Sequence, residues 1–385
     1  MNRVLIVSYY CYPESTPRGF RCFEFVNEYT RRGYNVDLIL PKKNKFANLL
    51  SEFRNPDKIT ISFLGETEYP AFTGAQKENK GKGILDSFKG GLMNLYKFFF
   101  PETHYLVKFS NQIFSALKLN VTVYESIVSI GLPFHVHKGV AKAIEINPSL
   151  QKAVKFADYG DPFSTASNKP LERFVETEKK VLTYFDYLIV PNIRSIHAFL
   201  PLVEENKIKV VNHCMNFDNL KISNRAFDLE DRGRIIFAYT GILYKEMRNP
   251  KVLMEFIKTH IRQDFIFVIC TISSNVESVQ VVEEIKNILG DKVRVYYDLD
   301  RYDVITVLKK SDFLLNIISG TDHLLTSKLV DYVASDRPIF EYKINENNSV
   351  DILSFFEQDY TKRLKLNNDQ YDIKYEFDKI VGLKK

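Results

Sequence analysis

The chain has 385 residues, of which 45% are apolar, 14% aromatic and 26% charged. That length predicts about two or three domains at roughly 150 residues each, and the apolar content excludes a disordered or collagen-like chain, while no run approaches the roughly 20 apolar residues of a membrane-spanning helix. Charge is unevenly spread: residues 1–200 carry 26 Lys and Arg against 19 Asp and Glu, the remainder 27 against 29, so the first half calls for an anionic partner such as a phosphorylated ligand or a membrane surface, with too many acids for a nucleic-acid binder.

Elements alternate along the sequence. Val4–Tyr10 is an apolar run that predicts a buried strand rather than a signal peptide. Cys11 to Gly19, with Pro13 and Pro17, predicts an irregular loop. Apolar spacing from Phe20 predicts a helix to Arg32 with Gly33 as its C-cap, and Asn35–Leu40 predicts a second strand. Residues 41–120 lack a clear period, but Ile84–Phe100 mixes lysines with aromatic residues, as a packed helix or a membrane-touching patch would. Strands are predicted at Ser126–Ile130, Ala153–Ala157 and Tyr187–Pro191, with helices near Phe134–Ile146 and Leu171–Thr183.

After the polar stretch Asn216–Arg234, strands are predicted at Ile235–Tyr239, Phe265–Cys270, Val293–Tyr297, Phe313–Ile318 and Pro338–Tyr342. Helices fall near Pro250–Ile261, Val276–Leu289, Asp303–Lys310 and Ser327–Ala334. Strand–helix alternation predicts an α/β protein of two doubly wound, Rossmann-like domains, 1–215 and 216–385, facing a central ligand cleft.

Motif absences narrow the chemistry. The first loop has only Gly19 where a dinucleotide fold has three glycines, and neither a phosphate loop, a nucleophile elbow nor a zinc helix is present. Cys11, Cys22, Cys214 and Cys270 have no metal or disulfide spacing, which fits a reducing cytoplasm. Candidate binding residues can be weighed singly. Gly241 ends a strand and lets backbone N–H groups approach a phosphate, and Lys245 and Arg248 follow in the same loop. Thr326 or Ser327 can cap the next helix, and Lys328 and Asp331 share one of its faces. In the first half, His135 and His137 open a helix behind Pro133, while Asp158 and Asp161 follow a strand. His137 and Asp161 are candidate proton acceptors, Arg18 and Gly19 candidate loop contacts, and Glu176 and Glu178 read as solvated.

Several segments in order resemble the GT-B glycosyltransferases, especially family 4. They are VLIVSYYCYPESTPRGFRCFEFVNEYTRRGYNVDLI at the start, SIVSIGLPFHVHKGVAKAI, KFADYGDPF, FAYTGILYKEMRNPKVLMEFI, and TSKLVDYVASDRPIF near the end. The resemblance implies sugar transfer from a nucleotide sugar, a UDP-sugar or alternatively a GDP-sugar, to a carbohydrate or lipid-linked glycan. It further implies retention of configuration and a setting in bacterial surface-glycan synthesis at the inner face of the membrane. It implies no cofactor and no metal, with positive side chains stabilising the departing diphosphate. By the same resemblance Gly19, Gly241, Lys245, Arg248, Thr326, Ser327, Lys328 and Asp331 hold the donor, Asp331 taking the ribose diol, and Arg18, His135, His137 and Asp161 serve the acceptor. Two departures stand out: Ile242 replaces the family arginine of the glycine loop, and His323 replaces the first of two glutamates seven residues apart. An epimerase of the same fold, a non-catalytic nucleotide-sugar-binding scaffold and a dehydrogenase are the alternatives.

Overall fold

A computed structural model describes residues 2–66, 104–165, 172–218, 220–229, 233–246, 248–318 and 327–383. The Ile84–Phe100 segment, His323 and Thr326 lie outside them. No helix among the described residues is long and apolar enough to cross a membrane. The chain divides into two compact units, one containing residues 1–69, 76–215 and 372–385 and the other centred on 216–371.

The first unit is built on a seven-stranded parallel sheet. Its strands are β1 (Arg3–Ser8), β2 (Asn35–Lys42), β3 (Ile59–Glu66), β4 (Ser126–Ile130), β5 (Val154–Asp158), β6 (Tyr187–Val190) and β7 (Ile208–Val210), ordered β3-β2-β1-β4-β5-β6-β7. Strand order reverses between β1 and β4, so this edge is the switch point at which open α/β sheets bind ligands. Register lines up Ser8, Ile130 and Asp158 at the carboxyl ends of three neighbouring strands. The main helices are α1 (Pro17–Arg31), α2 (His104–Leu117), α3 (His135–Ile146) and α4 (Glu172–Leu182).

Two expectations change here. The predicted loop through Gly19 is shorter, because α1 starts at Pro17: proline at the first helical position loses no needed N–H, and Thr16 Oγ1 caps the turn by accepting from Gly19 N at 3.0 Å. The unpatterned region holds β3 and α2. Strand β3, ITISFLGE, lies at the sheet edge and interleaves polar with apolar residues, so it lacks the continuous apolar run of a central strand.

The second unit carries a five-stranded parallel sheet ordered β10-β9-β8-β11-β12. Its strands are β8 (Ile235–Thr240), β9 (Phe265–Thr271), β10 (Val293–Tyr297), β11 (Phe313–Ile318) and β12 (Ile339–Lys343). Helices α5 (Lys251–His260), α6 (Val276–Leu289), α7 (Arg301–Lys309) and α8 (Leu329–Ser335) join them. Every residue of β8 and β9 is buried, which is why these strands read as unbroken apolar runs. Phenylalanine fills the core: the Phe237 ring stacks on Phe267 at 4.5 Å and on Phe313 at 5.2 Å.

The last helix, α9 (Ile373–Asp378), belongs to the first unit, although the sequence reading groups it with residues 216–371. Phe377 packs edge-on against Phe25 and Tyr29, and Arg32 bonds Asp378 at 2.6 Å and the Lys374 carbonyl at 2.8 Å. Glu376, buried, accepts from Asn212 N at 2.7 Å.

Candidate functional site

In the second unit the switch point lies between β8 and β11, and Gly241 stands directly beyond β8. Its φ of +117° is a conformation that side-chain-bearing residues rarely adopt, whereas space is adequate: a Cβ would lie 3.7 Å from the Tyr239 hydroxyl and 4.0 Å from Lys328 Cδ. The glycine is therefore required by the backbone turn. Gly241 N donates to the Cys270 carbonyl, and Leu243 N donates to Ser278 Oγ, which pins the loop to the start of α6.

Lys328 is buried beside this turn, its ammonium 4.3 Å from the centre of the Tyr239 ring and 5.8 Å from that of Tyr332. Aromatic faces supply a negative quadrupole that holds a cation where water is scarce. Tyr332 is fixed in turn, accepting from Thr240 N and donating to the Leu315 carbonyl. Helix α8 begins one residue later than the hydroxyl-cap expectation requires, with Lys328 itself at the cap position and no side-chain cap bond. Ser327 is half-buried just before it.

Asp331, in the first turn of α8, pairs with Arg301, whose Nε donates to Oδ1 at 2.6 Å. Burial raises the carboxyl above its ordinary pKa, opposed by the Arg301 charge. Sequence reading misses Arg301, because nothing local marks a partner 30 residues upstream. Lys245 and Arg248 stand further along the Gly241 loop: the Lys245 side chain is exposed while its N–H is held by Glu277 at 2.7 Å, and the Arg248 guanidinium lies 6.0 Å from the Tyr244 ring. The sequence also holds one Asp-x-Asp, Asp298 to Asp300, which the metal-free reading passes over. Its carboxylates serve the fold, Asp298 accepting from Ser273 N at 3.0 Å and Asp300 capping α7 through Tyr302 N.

In the first unit the lined-up strand ends gather a charged cluster. Asp158, fully buried, accepts from Arg18 Nη1 on one oxygen and from Arg21 Nε on the other, each at 2.5 Å. Arg21 spends its terminal nitrogens on the carbonyls of Val211 and Asn212 at 2.9 Å. Gly19, two residues into α1, has structural duties: a Cβ there would meet the Glu14 carbonyl at 2.6 Å. Asp161 is exposed within electrostatic reach of Arg18.

His137 is fully buried, stacked on Tyr159 with centroids 4.4 Å apart, and its Nδ1 is bonded to Ser129 Oγ at 2.8 Å. Burial and the Arg18 charge push the imidazole down to about 3, so it is neutral at ordinary pH. His135 is buried too, edge-on to Phe163. Glu178 corrects the sequence reading most sharply. It is fully buried, and accepts from the Tyr159 hydroxyl at 2.6 Å, Phe163 N at 2.6 Å and Ser164 N at 2.9 Å, so it shapes the loop that carries Asp161. Glu176 is solvated, paired with Lys179.

No protein-family model matches the chain, and no curated protein matches it in sequence. Solved structures match its fold over nearly the whole length. A glycosyltransferase of Rickettsia africae aligns with a TM-score of 0.57 at 12% identity, covering 93% of this chain and 88% of that one. Anabaena Alr3699/HepE in complex with UDP gives 0.61 at 10% identity, with 99% and 98% covered. The UDP-GlcNAc 2-epimerase of Neisseria meningitidis bound to UDP-GlcNAc gives 0.55 at 13% identity, with 98% of each chain covered. With two parallel α/β units and these neighbours, the chain has the GT-B fold.

Proposed function

We propose that this protein is a glycosyltransferase that moves a sugar from a UDP-sugar, or alternatively a GDP-sugar, to a carbohydrate or lipid-linked glycan acceptor in bacterial surface-glycan synthesis. One observation carries the reading: Lys328 lies against the Gly241 turn at the switch point of the second unit, with the Arg301–Asp331 pair one turn further along α8. Lys328 and the N–H groups of the Gly241 loop take the diphosphate, and Asp331, held by Arg301, accepts from the ribose hydroxyls. Aspartate is one methylene shorter than the glutamate of the resembling family, and the Arg301 bond fixes where that shorter carboxylate points. A fixed cation beside a departing diphosphate lowers the barrier without a divalent ion. Retention of configuration fits this arrangement, the leaving phosphate taking the acceptor proton, because the enclosed His137 is too weak a base at neutral pH.

A second reading, a nucleotide-sugar 2-epimerase, is favoured by a fold match nearly as close as the transferase's, 0.55 against 0.57. The test is a thermal-shift panel of UDP, GDP, CMP, dTDP and ADP, followed by product analysis with and without acceptors. A nucleotide at about 100 times its dissociation constant adds roughly 2.7 kcal/mol of stability. UDP or GDP should raise the melt, and Lys328→Ala should weaken that ligand at least tenfold. Turnover without any acceptor establishes the epimerase, and a flat panel refutes both readings.

A further inference from the structure

The far end of the second unit carries a charged cavity that the donor turn does not use. It opens beside the amino end of β12, where Leu314 N donates to the Pro338 carbonyl and Leu364 N to the Ile339 carbonyl. Strands β8, β11 and β12 run parallel, so Gly241, beyond the carboxyl end of β8, stands at the opposite end of the sheet. The cavity has a volume of about 250 Å³ and is lined by three cations, Arg337, Arg363 and Lys365, against one carboxylate, Asp336. Lys362, next to Arg363 in the chain, is paired with Asp351, as Arg301 is with Asp331 and Lys343 with Glu346. Among the described residues Arg337, Arg363 and Lys365 have no carboxylate within ion-pair distance.

Three like charges around one cavity repel one another, and a concave wall concentrates their field on an anion that enters. Arg337 is fixed in place as well: its Nε and Nη2 both donate to the Lys309 carbonyl at the end of α7, at 2.9 and 2.5 Å, which sets the plane of the guanidinium. Between the charges the lining is largely apolar, with Val333, Pro338, Ile339, Leu364 and Leu366 beside the Tyr332 ring. Bare phosphate makes no use of such a wall, whereas an apolar body attached to phosphate gains by burial against it.

We propose that this cavity binds a phosphate monoester carried on an apolar body, with Arg337, Arg363 and Lys365 taking the phosphate and Pro338, Leu364 and Leu366 the body. The site is independent of the nucleotide-sugar reading. Asp336 opposes the anion and lowers its affinity. Its backbone makes the left-handed turn, φ +54°, that ends α8, a conformation that asparagine also tolerates.

The experiment uses the full chain, with phenyl phosphate, inorganic phosphate and phenol titrated by calorimetry at constant ionic strength, and UDP measured on the same samples. Phenyl phosphate should bind saturably and at least tenfold tighter than inorganic phosphate or phenol. The double variant Arg363→Gln, Lys365→Gln changes two exposed side chains and so keeps the fold, which circular dichroism checks. It should weaken phenyl phosphate at least tenfold and leave UDP unchanged. Asp336→Asn keeps the turn and removes the opposing charge, so it should tighten phenyl phosphate at least twofold.

Equal affinity of the double variant and the parent for phenyl phosphate, or no saturable binding, overturns the proposal. Inorganic phosphate binding as tightly as phenyl phosphate overturns it too, because the apolar wall then contributes nothing. Loss of phenyl phosphate in Lys328→Ala but not in the double variant assigns the anion to the donor turn and overturns it as well. Phosphatidic-acid vesicles, against phosphatidylcholine controls, offer the same monoester from a membrane. Vesicle and phenyl phosphate binding that both fall in the double variant support the site with a lipid as its source, whereas vesicle binding alone makes these cations a membrane face and overturns the cavity. A UDP shift without phenyl phosphate binding removes only this proposal, and the converse removes only the nucleotide-sugar reading.

Discussion

Replacing His137 by glutamine should flatten the acid limb of the stability curve. In the folded chain the imidazole is neutral with its pKa pushed down to about 3, first by burial and then by the Arg18 charge. In the unfolded chain it titrates near 6.5. A depressed folded pKa means that the unfolded state takes up the proton first, so the stability is present above about pH 6.5 and is lost as pH falls toward 3. Between pH 7.5 and pH 5 the loss works out at about 2 kcal/mol, from 1.36 kcal/mol per pKa unit. Urea unfolding of the parent and His137→Gln, each at pH 7.5, 6 and 5, isolates this term, because all other groups titrate alike in both. Glutamine lowers stability by a constant amount through the lost stack on Tyr159, but the gap should narrow by about 2 kcal/mol at pH 5. Parallel curves would refute the buried neutral imidazole, and would return His137 to candidacy as an acceptor-side base.

Glu178→Gln should cost about 2–4 kcal/mol, since one amide oxygen cannot replace a carboxylate that accepts three bonds and the new NH2 meets a donor; a change below about 0.5 kcal/mol in urea unfolding would show that the Tyr159–Ser164 loop is held otherwise. Gly241→Ala should cost about 1–3 kcal/mol through the +117° backbone rather than through crowding. A melt unchanged within error would count against that turn.

The strands of both sheet centres were legible because a parallel strand buried on two faces must be apolar throughout, as Ile235–Thr240 and Phe265–Thr271 are. Edge strands escape that rule, and β3 with its Thr60 and Ser62 could pass for a loop. The start of α1 was hidden for a local reason: proline breaks helices in the interior but suits their first position. Glycine turns and cation-bearing loops were visible as residue types, whereas their partners were not. Arg21 and Asp158 are 137 residues apart, and Glu178 sits among Glu176, Lys179 and Lys180, a pattern that reads as a solvated helix face. Its burial follows from the N–H groups of Phe163 and Ser164, which need an acceptor that only the folded loop presents.

The two units place charge at their switch points by different rules, and the difference bears on what each can bind. In the second unit Asp331 pairs with Arg301, and Lys328 lies against the Tyr239 ring. Tyrosine faces stand beside that ammonium, and a ring quadrupole stabilises a cation while carrying no net charge. In the first unit one buried carboxylate is divided between two guanidiniums, and Asp161, the further carboxylate acting on Arg18, stays in solvent where its influence is screened. Arg21 also donates to the backbone carbonyls of Asn212 and Val211, which ties this cluster to the segment after β7. The neighbouring carboxylates fix where those cations stand: Asp331 and Arg301 hold each other in the second unit, and Asp158 holds Arg18 and Arg21 in the first.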